Sequence, residues 1–223
     1  MRLLRKSVLD DPYPASDGKP MAETQIHVAL LASLYELLDY WLKPRGIYLA
    51  GNMFLYYKKG APKARKAPDL MAVKGVNVET KRRSFKTWEE KATPRWVLEL
   101  TSKKTAQEDQ VEKKELYRRL RVREYFLFDP LDEYLPQQLM GFRLIGGDYQ
   151  PLETDAGGGL TSKELGLRFV PEGSDLLVFD VDTGRQLLNY GDLHEAMNRR
   201  IAALEAEVAR LKAPQKGKNN GVR

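Results

Sequence analysis

The chain has 223 residues, 42% of them hydrophobic and 30% charged, a balance normal for a soluble globular domain with an appendage. It contains no cysteine, which excludes disulfides, thiolate metal sites and a cysteine nucleophile and fits a reducing, cytoplasmic setting. A formal net charge of +6 favours polyanionic partners, whereas no run approaches the ~20 apolar residues that span a bilayer, so no membrane association is expected.

Residues 1–20 hold Pro12, Pro14, Gly18 and Pro20 and read as an irregular lead-in. Acidic residues interrupt the basic N-terminus before an apolar run develops, so no signal peptide is expected. From Ala22 to Leu42 the residues Ile26, Leu30, Leu34, Leu37, Leu38 and Trp41 recur at helical spacing and predict an amphipathic helix, ended by Pro44 and Gly46. Ile47–Tyr57 is rich in β-branched and aromatic residues and predicts one or two strands. A basic loop, KKGAPKARKAP, precedes a short apolar run from Leu70 to Val73.

A second basic stretch, KRRSFKTWEEK, leads to Trp96–Leu100, a buried strand with Glu99 embedded in it. Residues 106–120 predict a charged helix whose inner face carries Val111, Leu116 and Leu120. Tyr125–Phe128 is a further buried strand, closed by Asp129-Pro130. Strand, helix and strand in that order predict a crossover with at least one parallel pair. Beyond Pro130, the pieces Leu139–Ile145, Leu167–Val170 and Leu176–Phe179 read as a β extension attached to the core. From Leu193 the residues Met197, Ile201, Leu204, Val208 and Leu211 alternate spacings of four and three, the pattern of a coiled coil and hence of a homodimer. The tail APQKGKNNGVR has too little apolar surface to fold and is expected to be disordered.

The candidate chemistry centres on Asp69 and Glu99. A carboxylate at a strand start and another inside a neighbouring strand can converge at one sheet edge. Such a pair is the usual protein share of a Mg²⁺ site, with Mn²⁺ as a substitute. Glu99 is flanked by apolar residues on both sides, so as an ion it needs a cation or a metal beside it. A salt bridge to Arg95 or to a lysine on the next helix meets that need equally well. Asp109, Lys113 and Tyr117 lie at i, i+4 and i+8 and share one helix face, where an ordinary solvated Asp–Lys pair is the simplest reading. Lys114, on another face, fits that solvated reading well.

The run PDLMAV…WVLELTSKKTAQEDQVEKKELYRRLRVREYFLFDP resembles the Uma-type restriction endonuclease family, a former domain of unknown function within the PD-(D/E)xK phosphodiesterase superfamily. The resemblance covers roughly residues 20–150. It implies an α/β fold in which a mixed, restriction-endonuclease-like sheet is flanked by helices. Residues 21–185 would form the nuclease-like domain, 190–212 the coiled-coil helix and 213–223 the tail.

By the same resemblance Asp69 and Glu99 bind metal, Glu23 on the first helix assists, and His27 lies one turn later. A helix-dipole acid and a hydrogen-bonded histidine are the plainer readings of those last two. The superfamily lysine two residues after the glutamate is here Thr101, and Lys113 on the following helix stands in for it, flanked by Asp109 and Tyr117. Ser102 matches the family serine, with helix or turn capping as its simpler role. Lys63, Arg65, Lys66, Arg82 and Arg83 in the two basic loops suit DNA phosphates, and Trp88 suits packing beneath the loop. The activity implied is Mg²⁺-dependent hydrolysis of DNA, and the alternative is a catalytically silent DNA-binding or interaction module on the same scaffold.

Overall fold

The computed structural model describes residues 12–14 and 24–212, and the chain divides into two units, Met1–Leu187 and Leu188–Arg223. In the first unit, helix α1 (Gln25–Leu42) turns Leu30, Leu34, Leu38 and Leu42 inward. Thr24 caps its start, its hydroxyl accepting the His27 N–H at 3.3 Å. Ala22 and Glu23, expected within this helix, lie outside the described residues, and Ile26, expected on its inner face, is largely exposed. A 3-10 turn over Lys43–Arg45 ends at Gly46, whose φ of 70° is the left-handed cap that glycine adopts without strain.

Five short strands follow: β1 (Ile47–Gly51), β2 (Leu55–Tyr56), β3 (Arg65–Lys66), β4 (Leu70–Lys74) and β5 (Phe85–Lys86). Helix α2 (Thr87–Glu90) and strand β6 (Trp96–Leu100) come next. A π-helical turn over Glu108–Lys113 runs directly into helix α3 (Lys114–Arg119). The unit is completed by β7 (Glu124–Phe128), β8 (Leu139–Ile145), β9 (Asp148–Pro151), β10 (Leu160–Ser162), β11 (Leu167–Glu172) and β12 (Asp175–Asp180).

The main sheet has the order β1-β4-β6-β7-β8-β9. Its β6 and β7 are parallel, as the intervening helix requires, and its other neighbours are antiparallel. The architecture is thus a mixed α/β sheet flanked by helices. Both faces are covered at the centre of the sheet, so β4, β6 and β7 read as nearly continuous apolar runs. Strand alternation sends Leu70, Ala72, Trp96, Leu98, Phe126 and Phe128 towards α1 and the sheet β10-β11-β12. Met71, Val73, Val97, Tyr125 and Leu127 point the other way, towards Leu55, Phe85, Leu116 and Tyr117.

Two expectations need correction. Leu139–Ile145 belongs to the main sheet and not to the β extension, because it pairs with β7 along the strand from Glu124↔Arg143 to Phe128↔Leu139. The extension is the antiparallel β10-β11-β12 alone. Val111 is 54% exposed, although an inner-face position was expected. Two residues on from Asp109, it falls on the opposite side of the π-turn, and the buried face is the one bearing Asp109, Lys113, Leu116 and Tyr117.

The buried carboxylate of Glu124 ties the extension to the sheet. It accepts from the Ser162 hydroxyl and from the backbone N–H of Lys163 (3.0 Å) and Glu164 (3.3 Å), and it pairs with Arg143. In the second unit, helix α4 (Tyr190–Lys212) stands by itself as a single element, capped by the Asn189 side chain accepting the Asp192 N–H at 2.9 Å, and none of its residues is buried. Glu124→Ala leaves Arg143 and three donors without their acceptor. It is expected to destabilise the first unit by about 3 kcal/mol in urea unfolding, and an unchanged midpoint would refute the tie.

Candidate active site

Strand register builds the site. β4 and β6 pair with Leu70 opposite Leu98, and continuing that register by one residue sets Asp69 opposite Glu99. By alternation both fall on the face covered by the π-turn and α3. Like charges directly opposite one another repel, so the pair has to be compensated. The Asp69 backbone N–H donates to Glu99 Oε2 at 3.3 Å, and Leu100 N–H donates to Asp69 Oδ2 at 2.7 Å. His27 Nε2 from α1 reaches Asp69 Oδ1 at 3.5 Å.

The helix supplies the rest. Lys113 Nζ lies 2.9 Å from Glu99 Oε2 and 2.8 Å from Asp109 Oδ1, and the Tyr117 hydroxyl donates to Glu99 Oε1 at 2.7 Å. The triplet predicted to share a helix face is therefore turned inward as a group, and its Lys–Asp pair is buried, not solvated. The π-turn carries Asp109 and Lys113, and Tyr117 follows one turn later in α3. Arg95, the other cation considered for Glu99, points instead towards Glu164, at 4.0 Å.

Glu99 is completely buried. That burial pushes its carboxyl up to about 8; Lys113 opposes the rise, while Asp69 and Asp109 add to it. Burial likewise raises Asp109 against the pull of Lys113. For Lys113, burial works against the charge, but Glu99 and Asp109 outweigh it and hold the ammonium above its ordinary value. Glu99 and Asp109 thus share one ammonium, with Asp69 facing Glu99 from the neighbouring strand.

A cleft of about 440 Å³ opens onto this group, lined among others by His27, Asn52, Asp69, Thr101, Lys104 and Lys113. Lys103 and Lys104, both exposed at its rim, were not singled out from the sequence. Their signal was the Lys-Lys step directly after the strand that carries Glu99. The Thr101 hydroxyl is buried in the cleft wall without a hydrogen-bond partner among the described residues, so it retains both its donor and its acceptor capacity. Ser102 closes the turn after β6: its carbonyl accepts Thr105 N–H at 3.0 Å and Ala106 N–H at 2.9 Å, and its hydroxyl lies 3.3 Å from Thr105 Oγ1. Glu23 lies outside the described residues.

Residues 13–172, well over half of the chain, match the family model Uma2, described as "Putative restriction endonuclease". The chain belongs to this family. A crystal structure described as that of a putative nuclease belonging to DUF820 from Anabaena variabilis ATCC 29413 is similar at 12% identity and a TM-score of 0.45, over 68% of this chain and 81% of that one. No curated protein matches the chain.

The basic residues of this Uma2 domain divide into two groups. Arg82 is turned inward, paired with Glu90 through both Nε (2.7 Å) and Nη2 (2.8 Å) and stacked over Tyr48. Lys66 pairs with Glu108, and Arg65 lies over Phe54 while donating to the Pro62 carbonyl. Lys63 and Arg83 are exposed. Trp88 packs against Tyr13, with ring centroids 4.9 Å apart. Lys114, expected in a solvated face, holds its ammonium 3.6 Å from the centroid of the Phe142 ring, and burial lowers its pKa.

The charge imbalance has a measurable consequence. The Glu99 carboxyl rises from an ordinary 4.5 to about 8 on folding. A group raised in this way stabilises the fold fully below its unfolded value and loses that contribution as pH climbs through the folded value. Without divalent ions, the Glu99 contribution to unfolding free energy is expected to fall between pH 4.5 and 8. Urea unfolding across that window should show the slope flattened in Glu99→Gln, and an identical slope in both proteins would refute the assignment.

Proposed function

We propose that this chain is a divalent-metal-dependent DNA endonuclease, with the ion held by Asp69 and Glu99. The observation that carries the reading is the placement of these two carboxylates opposite one another at a sheet edge, beside an open cleft, with Lys113 reaching Glu99 from the next helix. The donor set suits a hard cation. Asp69 and Glu99 offer oxygen ligands, and the ammonium that reaches Glu99, that of Lys113, is shared with Asp109. Mg²⁺, or Mn²⁺ in its place, needs only one or two carboxylates from the protein; among the described residues no group of three potential ligands is assembled.

When bound, such an ion lowers the pKa of a water and screens charge on a phosphodiester. The residues of the chain have distinct parts. Tyr117 fixes the Glu99 carboxylate by its hydrogen bond, and Asp69 is held by the Leu100 N–H. Lys113 supplies a positive charge at the site where the superfamily pattern has lysine and this chain has Thr101. Lys63 and Arg83, with Lys103 and Lys104 at the cleft rim, take the phosphates of the duplex. Two copies joined through the C-terminal helix would offer one site to each strand.

A second reading rests on Lys113 itself. Its ammonium already pairs with both Glu99 and Asp109, at 2.9 and 2.8 Å, and a silent DNA-binding module could keep that arrangement. Cleavage assays separate the two. On plasmid and linear duplex, Mg²⁺-stimulated cleavage is expected to drop at least about 100-fold in Asp69→Asn and in Glu99→Gln, with circular dichroism unchanged. Undiminished cleavage in both would sink the endonuclease reading, and metal-independent DNA binding without cleavage in the native chain would favour the silent module.

Phosphate contact is tested separately. The double variant Lys63→Ala, Arg83→Ala is expected to reduce the slope of log affinity against log salt by about two, measured by fluorescence anisotropy without divalent ions. An unchanged slope removes these two side chains from the interface.

A further inference from the structure

The C-terminal helix carries information that the nuclease chemistry does not use. Setting Ile201 and Val208 at heptad position a places Met197, Leu204 and Leu211 at position d, and these five side chains are 44–73% exposed. Over Ile201–Leu211 this sets a β-branched residue at a and leucine at d, the combination that favours two parallel strands, while His194 takes the preceding a position. The flanks carry a second, independent signal. Arg200 and Glu207 fall at position g, and Glu205 and Lys212 at position e. In a parallel, in-register pair each g residue faces the e residue of the next heptad on the other copy. Arg200 then meets Glu205, and Glu207 meets Lys212, so both kinds of contact are attractive.

An antiparallel pair satisfies fewer of the same residues. Stacking Ile201 on Leu211 and Leu204 on Val208 brings Glu205 beside Glu205 and Glu207 beside Glu207 of the other copy, whereas stacking Ile201 on Leu204 sets Arg200 beside Glu207 but leaves Glu205 beside Asn198 and Lys212 beside Gly191, so only the parallel pair matches all four charges. Core shape and flanking charge therefore select the same arrangement. We infer that Tyr190–Lys212 pairs with the same helix of a second copy as a parallel, in-register, two-stranded coiled coil. This rests on the dimer reading given above and adds its orientation and register.

The chain has no native cysteine, so a single introduced thiol reports on orientation without background. Full-length protein is expected to sediment at twice its 25.5 kDa mass. Oxidised Leu211→Cys is expected to run as a covalent dimer. Glu205→Arg should weaken the dimer about tenfold or more by setting Arg200 against a like charge, and adding Arg200→Glu should restore it. A monomeric native chain overturns the dimer and its orientation together. A dimeric mass with no cross-link in Leu211→Cys alone or in Ile201→Cys alone, but with a mixed cross-link when the Ile201→Cys chain is combined with the Leu211→Cys or the Leu204→Cys chain, overturns the orientation alone. Neither readout involves DNA or metal, so the nuclease reading is judged separately.

Discussion

A carboxylate sealed between the strands of a sheet must be matched by positive charge and by hydrogen-bond donors, and Glu99 is sealed completely. Tyr117 and Lys113 are the donors that reach it from the helix, and both come from one helix face. That decides which side of the helix turns inward. Val111, apolar but on the opposite side, goes to solvent. The π-helical turn over Glu108–Lys113 carries both Asp109 and Lys113, consistent with the occurrence of such turns at functional sites. The charge requirement of one strand residue thus sets the orientation of the element that covers it.

Three buried acids show what separates a structural carboxylate from a candidate functional one. Asp129 accepts four backbone N–H groups, from Leu131, Glu133, Tyr134 and Leu135, and so fastens the turn after β7. Glu124 takes one hydroxyl, two backbone N–H groups and a guanidinium. Each is matched by its own set of donors. Glu99 differs, because Asp109 draws on the same ammonium and Asp69 stands opposite it without a lysine of its own. An under-compensated cluster beside a cleft is stable chiefly when something else completes its charge, which is the physical content of the metal proposal.

Much of this was legible because the relevant information is local. Asp69 and Glu99 are marked by their neighbours in short apolar runs, and Asp109, Lys113 and Tyr117 by spacing alone. The mixed sheet followed from strand–helix–strand order. What escaped was decided at a distance. Whether Arg82 faces a phosphate or Glu90 depends on where α2 lies, and Lys114 is drawn out of solvent by Phe142 on β8. Strands β9 and β10 are short and polar, and glycines lie close by. Nothing in Asp148–Pro151 or Leu160–Ser162 carries a strand pattern until β8 and β11 pair with them. The role of β8 in the main sheet was hidden for a related reason, since a strand's composition does not say which neighbour it joins.

The net charge of +6 is a poor guide to where DNA would lie, because much of the basic surface is spent internally. Arg82, Arg143, Arg168 and Lys66 are all bound to acids of the same unit. Subtracting such pairs changes the question from how basic the protein is to which cations remain exposed. Lys103 and Lys104 remain so at the rim of the cleft that holds Asp69, and Lys63 and Arg83 in the loops on either side of it in sequence. A phosphate backbone drawn to the rim lysines would arrive next to the carboxylates that it could not approach without an intervening cation. The exposed positive charge and the under-compensated negative charge are in this sense two halves of one requirement.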